Sequence, residues 1–361
     1  MTKLILIGGF LGSGKTTLLA EAAKNLTAEG KSVGLVTNDQ APGLVDTRLL
    51  GGVGKGVSEV SGSCFCCNFN GFVDAINSLI EQGAETIIAE PVGSCTDLSA
   101  TIMNPIKKFH PEWELAPLTV LVDPTRFLEA LSITPSKVDP DALYIMKLQM
   151  EEADRILVNK VDTLSVSNRE QIEKLLAENF PQKMTDLISA RTGEGVDVWL
   201  KEIQTGKDAG TKIVEVDYDR YAHGEAVLGW LNATAVVQAK NGNVDAVDIV
   251  KSIMTTLQTE LRNVGAEVGH VKAILNLNGK EYVANLTQLD GEVEIRDVAS
   301  ESAESFFIFN ARAQMSPESL EKIVRELLCT VALEKLDVKI ETLRCLMPGR
   351  PNPTHRFSET I

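Results

Sequence analysis

Short apolar runs rich in β-branched residues recur through the first ~200 residues: Leu4–Ile7, Ser32–Thr37, Thr86–Ala89, Thr119–Val122, Arg155–Val158 and Asp186-Leu187-Ile188. Between several of them the apolar positions fall at helical spacing, as over Thr17–Leu26 and Asn168–Asn179. Strands apolar at every position, alternating with helices, predict a parallel sheet covered on both faces. A polar, glycine-containing stretch, Thr205–Thr211, then breaks the pattern. Beyond it strands are expected near Ala226–Gln238, His270–Leu277, Tyr282–Leu286, Ser305–Ala311 and Val338–Cys345, with helices near Val244–Val264 and Pro317–Leu336. Ser316 reads as the N-cap of the second helix, with Pro317 at its first position and Glu318 in its first turn. The fold class is therefore α/β, a P-loop domain over 1–204, followed by a linker over 205–222 and a smaller α+β domain over 223–361. The second domain reads as a split βαβ sheet with two helices on one face.

Composition narrows the partners. The chain has 361 residues, is 44% apolar and 24% charged, and carries a net charge of −15. That much apolar surface excludes wholesale disorder. The acidic balance argues against nucleic acid, whose phosphates require basic patches. No apolar run reaches the ~18 residues of a membrane span. The apolar start, Leu4–Ile7, is short and runs straight into glycines, so it reads as a buried strand and the expected location is cytoplasmic.

The residues Gly9-Phe10-Leu11-Gly12-Ser13-Gly14-Lys15-Thr16 fit G-x-x-x-x-G-K-[ST] between a strand and a helix. Gly9, Gly12 and Gly14 let backbone N–H groups approach phosphates, with Ser13 and Thr17 completing the loop and the helix N-terminus. Lys15 supplies a cation to the β- and γ-phosphates, and the Thr16 hydroxyl is a ligand for Mg2+. Asn159-Lys160-Val161-Asp162 follows a strand and matches N-K-x-D. A carboxylate such as Asp162 accepts from two guanine N–H donors that adenine does not offer as a pair. Ser189-Ala190-Arg191, after another strand, fits the element that backs the guanine from the other side. The nucleotide is therefore GTP/GDP. Asp39 and Glu90, at expected strand ends, are candidates to organise Mg2+ or the attacking water, and Gly93 offers a backbone N–H to the γ-phosphate.

Three of the six cysteines crowd into Ser63-Cys64-Phe65-Cys66-Cys67. Cys64, Cys66 and Cys67 suit a soft or borderline metal as thiolates: Zn2+ best, with Co2+ or Ni2+ fitting similar ligands. A fourth ligand is left to a carboxylate, His, water or another subunit. A closed structural zinc site and a redox pair are the other readings of the cluster. Cys95, Cys329 and Cys345 read as buried small hydrophobes.

Together these residues resemble the CobW-like GTPases, grouped with HypB and UreG. The phosphate loop Gly9–Thr16, Glu90 and Gly93 for E-x-x-G, Asn159–Asp162, and the C-x-C-C of Cys64, Cys66 and Cys67 carry the likeness. It covers the first ~200 residues well and the second domain only in layout. It implies a GTP-hydrolysing metallochaperone, with a nucleotide-dependent homodimer, that serves a client metalloprotein or a cobalamin-related enzyme. The alternatives are a GTPase switch that assembles or reactivates a corrinoid or other cofactor enzyme, and a metal buffer with little turnover. The sequence departs from the family at Ser63, at Asn38-Asp39-Gln40 and at Pro91-Val92, and it has no histidine-rich tract. These departures fit a distinct branch. The stiff basic segment Pro348–Arg356 reads as a contact for a client, for the nucleotide side of the first domain or for a dimer partner, or as a tail fixed across the sheet.

Overall fold

The computed structural model describes the chain except residues 40–44, 51–53, 55, 241–243, 299–301, 303 and 333–334. Its first sheet contains β1 (Thr2–Gly9), β2 (Val33–Asp39), β3 (Gly56–Ser61), β4 (Thr86–Glu90), β5 (Trp113–Leu115), β6 (Thr119–Val122), β7 (Arg155–Val158) and β8 (Met184–Leu187). All the pairings are parallel, in the order β3-β2-β4-β1-β6-β7-β8, with β5 beside β1. Leu4 and Leu6 of β1 enter one core, while Ile5 and Ile7 enter the core on the opposite face. This two-sided burial, worth about 1.5–3 kcal/mol per side chain, is why the run carries no polar residue. The short strands β3 and β5 escape the sequence pattern. β3 is mostly half-buried and polar, and β5 has three residues.

The second sheet contains β9 (Gly229–Ala239), β10 (Val268–Leu277), β11 (Lys280–Leu286), β12 (Glu294–Val298), β13 (Phe306–Ala313) and β14 (Leu336–Leu346). It is antiparallel throughout, in the order β12-β11-β10-β13-β9-β14. The helix Ala246–Asn263 joins β9 to β10, and Pro317–Leu327 joins β13 to β14. This is the expected split βαβ, extended at one edge by β11 and β12. Ser316 caps the second helix by accepting from the Ser319 N–H. That helix stops at Leu327, earlier than the sequence pattern implies, and continues as a π-helical turn over Leu328–Ala332.

Strand alternation sorts this sheet into two faces. Leu231 of β9, Val271, Ala273 and Leu275 of β10, and Phe307, Phe309 and Ala311 of β13 pack under the two helices. The intervening residues Trp230, Asn232, Lys272, Ile274, Asn310 and Arg312 point the other way. That face covers the first domain: Trp230 enters the first domain's core, and Ile274 packs with Val45. The segment expected as a linker is only partly one. Its end belongs to the helix Tyr218–Ala226, whose Tyr221 is buried in the first domain's core. Among the described residues no helix is long and apolar enough to cross a membrane.

Candidate functional site

The loop after β1 turns into the helix Lys15–Ala28 through Gly14, which has φ 97°. A Cβ on Gly14 would lie 2.2 Å from the Asn159 side-chain nitrogen, so this position requires glycine. Lys15 is buried and donates to the carbonyls of Gly9 (2.9 Å) and Phe10 (3.3 Å). It stands 3.8 Å from the Glu90 carboxylate at the end of β4. Burial pushes the Lys15 pKa down and the Glu90 pKa up. The Thr16 hydroxyl donates to Glu90 Oε1 at 3.3 Å. The other Glu90 oxygen is buried and has no hydrogen-bond partner among the described residues. Gly93 is pressed against the phosphate loop, where a Cβ would come within 3.1 Å of the Leu11 backbone nitrogen.

These groups line a cavity of about 340 Å³ that also reaches Gly12, Thr17, Lys160 and Arg191. A second cavity of about 200 Å³ shares Gly14, Thr17 and Lys160 with it and adds Asn159, Asp162 and Ser189. Asn159 ties the phosphate loop to the last strand region. Its amide donates to the Ser13 carbonyl (2.8 Å), and its oxygen accepts from the Ala190 N–H (2.8 Å). Asp162 accepts from the Ser189 hydroxyl at 2.7 Å and pairs with Arg191. Burial alone would raise the Asp162 pKa, but the Ser189 and Arg191 hydrogen bonds outweigh it and hold the carboxyl below its ordinary range. Lys160, in the left-handed region at φ 61°, pairs with Asp123 at 2.9 Å.

The second domain supplies groups that the sequence pattern does not reveal. Lys272 of β10 pairs with Asp46 and stands 3.4 Å from the Thr16 hydroxyl. Burial penalises the Asp46 carboxylate, but the Lys272 ammonium outweighs it and keeps that carboxyl ionised below the usual range. Asp39 lines the same cavity, yet its carboxylate is held by Arg312 (2.7 Å) and Asn232 (2.9 Å) of the covering sheet. The acids grouped around Thr16 are therefore Glu90 and Asp46. The readable signal was a set of polar residues at every second position of otherwise apolar strands: Asn232, Lys272, Asn310 and Arg312.

The thiol loop is built from β2 and the start of the next helix. The Asn38 side chain accepts from the Phe65 N–H (2.9 Å) and donates to the carbonyls of Val60 and Ser63, both at 2.8 Å. The Cys67 and Asn68 N–H groups both bond the Cys64 carbonyl, and Asn68 caps the helix Phe69–Glu81. This tight turn brings the sulfurs of Cys64, Cys66 and Cys67 within 4.8 Å of one another. The Cys64 and Cys66 sulfurs are 3.0 Å apart. Sharing with its neighbours pushes the Cys64 thiol far down, while the Cys66 thiol is pushed well up and the Cys67 thiol up to about 11, each chiefly by its sulfur contact with Cys64.

Cys95 is buried, as expected, and shares the core of the first domain with Cys64 and Cys66. Cys329 is exposed and Cys345 half-buried, which corrects the reading of both as buried residues. The segment 348–361 packs on the first domain, where Phe357 N–H donates to the Ala100 carbonyl (3.0 Å) and Ile361 N–H to the Asn104 side chain (2.7 Å). It straps the thiol loop, with Asn352 N–H donating to the Cys67 sulfur (3.3 Å) and Thr354 N–H to the Cys66 carbonyl (2.8 Å). His355 packs edge-on against the Phe69 ring, and Arg356 pairs with Asp97 at 2.7 Å.

The chain is similar to several known proteins. The zinc chaperone CobW of Sinorhizobium sp is 26% identical over 225 residues, which is 56% of this chain and 63% of that protein. The zinc chaperone YeiR of Escherichia coli (strain K12) is 27% identical over 182 residues, 50% of this chain and 52% of that one. The chain thus spans about half to just under two thirds of the length of these curated relatives. HypB from Helicobacter pylori in complex with nickel is 17% identical, covering 57% of this chain and 87% of that one, with a TM-score of 0.41. A likeness that remote bears no weight on function. The sequence family described as "CobW/HypB/UreG, nucleotide-binding domain" matches residues 3–185, half of the chain, and the chain belongs to that family.

Proposed function

We propose that this chain is a GTP-hydrolysing metallochaperone. It takes a transition metal, Zn2+ before Co2+ or Ni2+, on Cys64, Cys66 and Cys67 and passes it to a client metalloprotein under control of the nucleotide. One observation carries this reading. The segment Glu90–Cys95 begins in the phosphate cavity at Glu90 and Gly93 and ends at Cys95, which is buried in the same core as Cys64 and Cys66 of the thiol loop. A change at the γ-phosphate therefore has a covalent route of five residues to the core in which Cys64 and Cys66 are buried. The naming of the curated relatives as zinc chaperones supports the same cargo.

The residues have separable tasks. Lys15 and the loop N–H groups hold the β- and γ-phosphates and stabilise charge on the bridging oxygen as water attacks in line. Asp162 selects guanine, with Asn159 and Ala190 bracing its loop. Thr16 and the Glu90 oxygen that has no hydrogen-bond partner among the described residues form a hard donor set that fits Mg2+. When bound, that ion neutralises phosphate charge. The Lys272 ammonium, from the second domain, adds a cation beside Thr16. Asp39 serves as the anchor of the covering sheet. Three thiolates leave one position of a tetrahedral metal open to exchange, which suits delivery better than storage.

The test is metal affinity by chelator competition with Zn2+ and Co2+, in the absence of nucleotide, with Mg-GTP and with Mg-GDP. Linkage makes any coupling reciprocal. A difference of roughly tenfold between GTP and GDP, about 1.4 kcal/mol, is expected. Equal affinities in all three states would overturn nucleotide-gated delivery.

A further inference from the structure

The strand β10 runs along the phosphate loop at close range. A Cβ on Gly12 would lie 3.2 Å from the Gly269 carbonyl oxygen, and a Cβ on Gly269 would lie 3.1 Å from the Leu11 side chain. Before this point Arg126 of the first domain donates to the Val268 carbonyl (3.2 Å). After it Lys272 stands 3.4 Å from the Thr16 hydroxyl. His270 falls between these fixed points. The register with β13 shifts between Val268 and His270, a bulge that re-aims the side chain after it. His270 lies opposite Arg312 of β13 and two residues from Lys272, so all three share the face that covers the first domain. It lines the phosphate cavity and not the base-side cavity, whose residues from this sheet are Asn285, Glu294, Ile295 and Arg296. His270 Nδ1, Trp230 Nε1 and Glu90 Oε2 are each buried without a hydrogen-bond partner among the described residues, and all three residues line the phosphate cavity. Buried polar atoms are normally paired, so this grouping marks the cavity wall as built for a polar ligand. Burial, and then the Lys272, Arg312 and Lys15 cations, push the His270 pKa well below the ordinary histidine range, so its ring is neutral.

We propose that His270 is a catalytic residue of the GTPase, supplied by the second domain: its imidazole accepts a hydrogen bond from the water that attacks the γ-phosphate and aims that water at phosphorus. This deepens the metallochaperone reading and rests on its GTPase half. The water oxygen bonds to the γ-phosphorus, and the bond from phosphorus to the β–γ bridging oxygen breaks, leaving its electron pair on GDP. The water proton ends on the inorganic phosphate that departs. A neutral imidazole can orient the water because one ring nitrogen accepts, whereas an imidazolium has two donors and no acceptor. Beside it the Lys272 ammonium faces the charge that develops on the phosphates. Hydrolysis therefore requires the covering sheet to be seated on the phosphate loop, because the group that orients the water comes from that sheet.

The experiment measures single-turnover hydrolysis of Mg-GTP by the full chain, beside its affinity for a non-hydrolysable GTP analogue. His270→Phe fills the space of the ring without an acceptor, and it is expected to slow hydrolysis by roughly 100-fold while changing analogue affinity by less than about twofold. His270→Gln offers an amide oxygen as acceptor and is expected to recover about tenfold of that loss. An unchanged rate in His270→Phe, equal losses in the two variants, or a loss of analogue affinity as large as the loss of rate would overturn the role of His270 and leave the GTPase standing. Absence of hydrolysis in the unmutated chain that binds the analogue would overturn the GTPase reading itself.

Discussion

Arg312 of the second domain and Asp39 of the first form an ion pair 2.7 Å long, with both side chains almost fully buried. Arg312 also donates to the Leu231 carbonyl and to Asn232 Oδ1, each at 2.8 Å, and lies over the Trp230 ring. The carboxylate at the end of β2 is thereby a clasp between the domains. Removing one partner strands a buried charge, which costs about 3–5 kcal/mol. Arg312→Ala is expected to lower the unfolding free energy by that amount in a urea titration. Adding Asp39→Asn should recover part of the loss, and a double variant as unstable as the sum of the two singles would show that the pair is not coupled.

Lys272 reaches the nucleotide cavity from a strand of the other domain, and its position beside Thr16 predicts a role in phosphate chemistry. Lys272→Met is expected to fold, because the stem is kept, and to slow single-turnover GTP hydrolysis by roughly tenfold or more. Unchanged single-turnover rates would confine Lys272 to pairing with Asp46.

The first sheet was legible because its strands are buried on both faces and so carry an uninterrupted apolar signal. The phosphate loop, Asn159–Asp162 and the thiol loop were legible because each packs its chemistry into a few consecutive residues. What stayed hidden depends on distant residues meeting. Cys95 is one cysteine among apolar neighbours until the fold buries it in the same core as Cys64 and Cys66. Asp39 reads as a ligand at a strand end until Arg312 takes it, and Asp46 draws no notice until Lys272 of the other sheet pairs with it. The segment after Pro348 carries no periodicity, so nothing in it named the thiol loop as its seat.

Asp162 is held by Ser189 and Arg191 with its carboxylate facing the second cavity. Asp162→Asn replaces one acceptor by a donor, which clashes with a guanine N–H and suits the xanthine carbonyl. The preference for GTP over XTP, read from competition binding, should fall by roughly tenfold or more. A retained preference would remove Asp162 from base recognition.

The strap 348–361 anchors the thiol loop by hydrogen bonds to the Cys66 and Cys67 carbonyls and the Cys67 sulfur. Each bond contributes on the order of 1 kcal/mol. Deleting residues 349–361 is expected to speed the transfer of bound Zn2+ to a chelator by roughly tenfold, about 1.4 kcal/mol. A release rate equal to that of the full chain would mean that the strap does not restrain the cargo.

Glu152 is a fully buried carboxyl that accepts from Thr96 Oγ1 (3.0 Å) and from the Ser99 N–H (3.1 Å), holding the segment that follows Cys95. Burial is the main cause that pushes its pKa from 4.5 up to about 8, against these hydrogen bonds. The folded state therefore holds a proton that the unfolded chain gives up. Between about pH 4.5 and pH 8 the folded form binds more protons, so this residue's contribution is full at the acid end and is lost as the pH rises through 8. Glu152→Gln keeps a neutral side chain at every pH. The melting temperature of the unmutated chain should fall relative to that of Glu152→Gln as the pH is raised from 5 to 8. Parallel curves over that range would show that Glu152 titrates at its ordinary value.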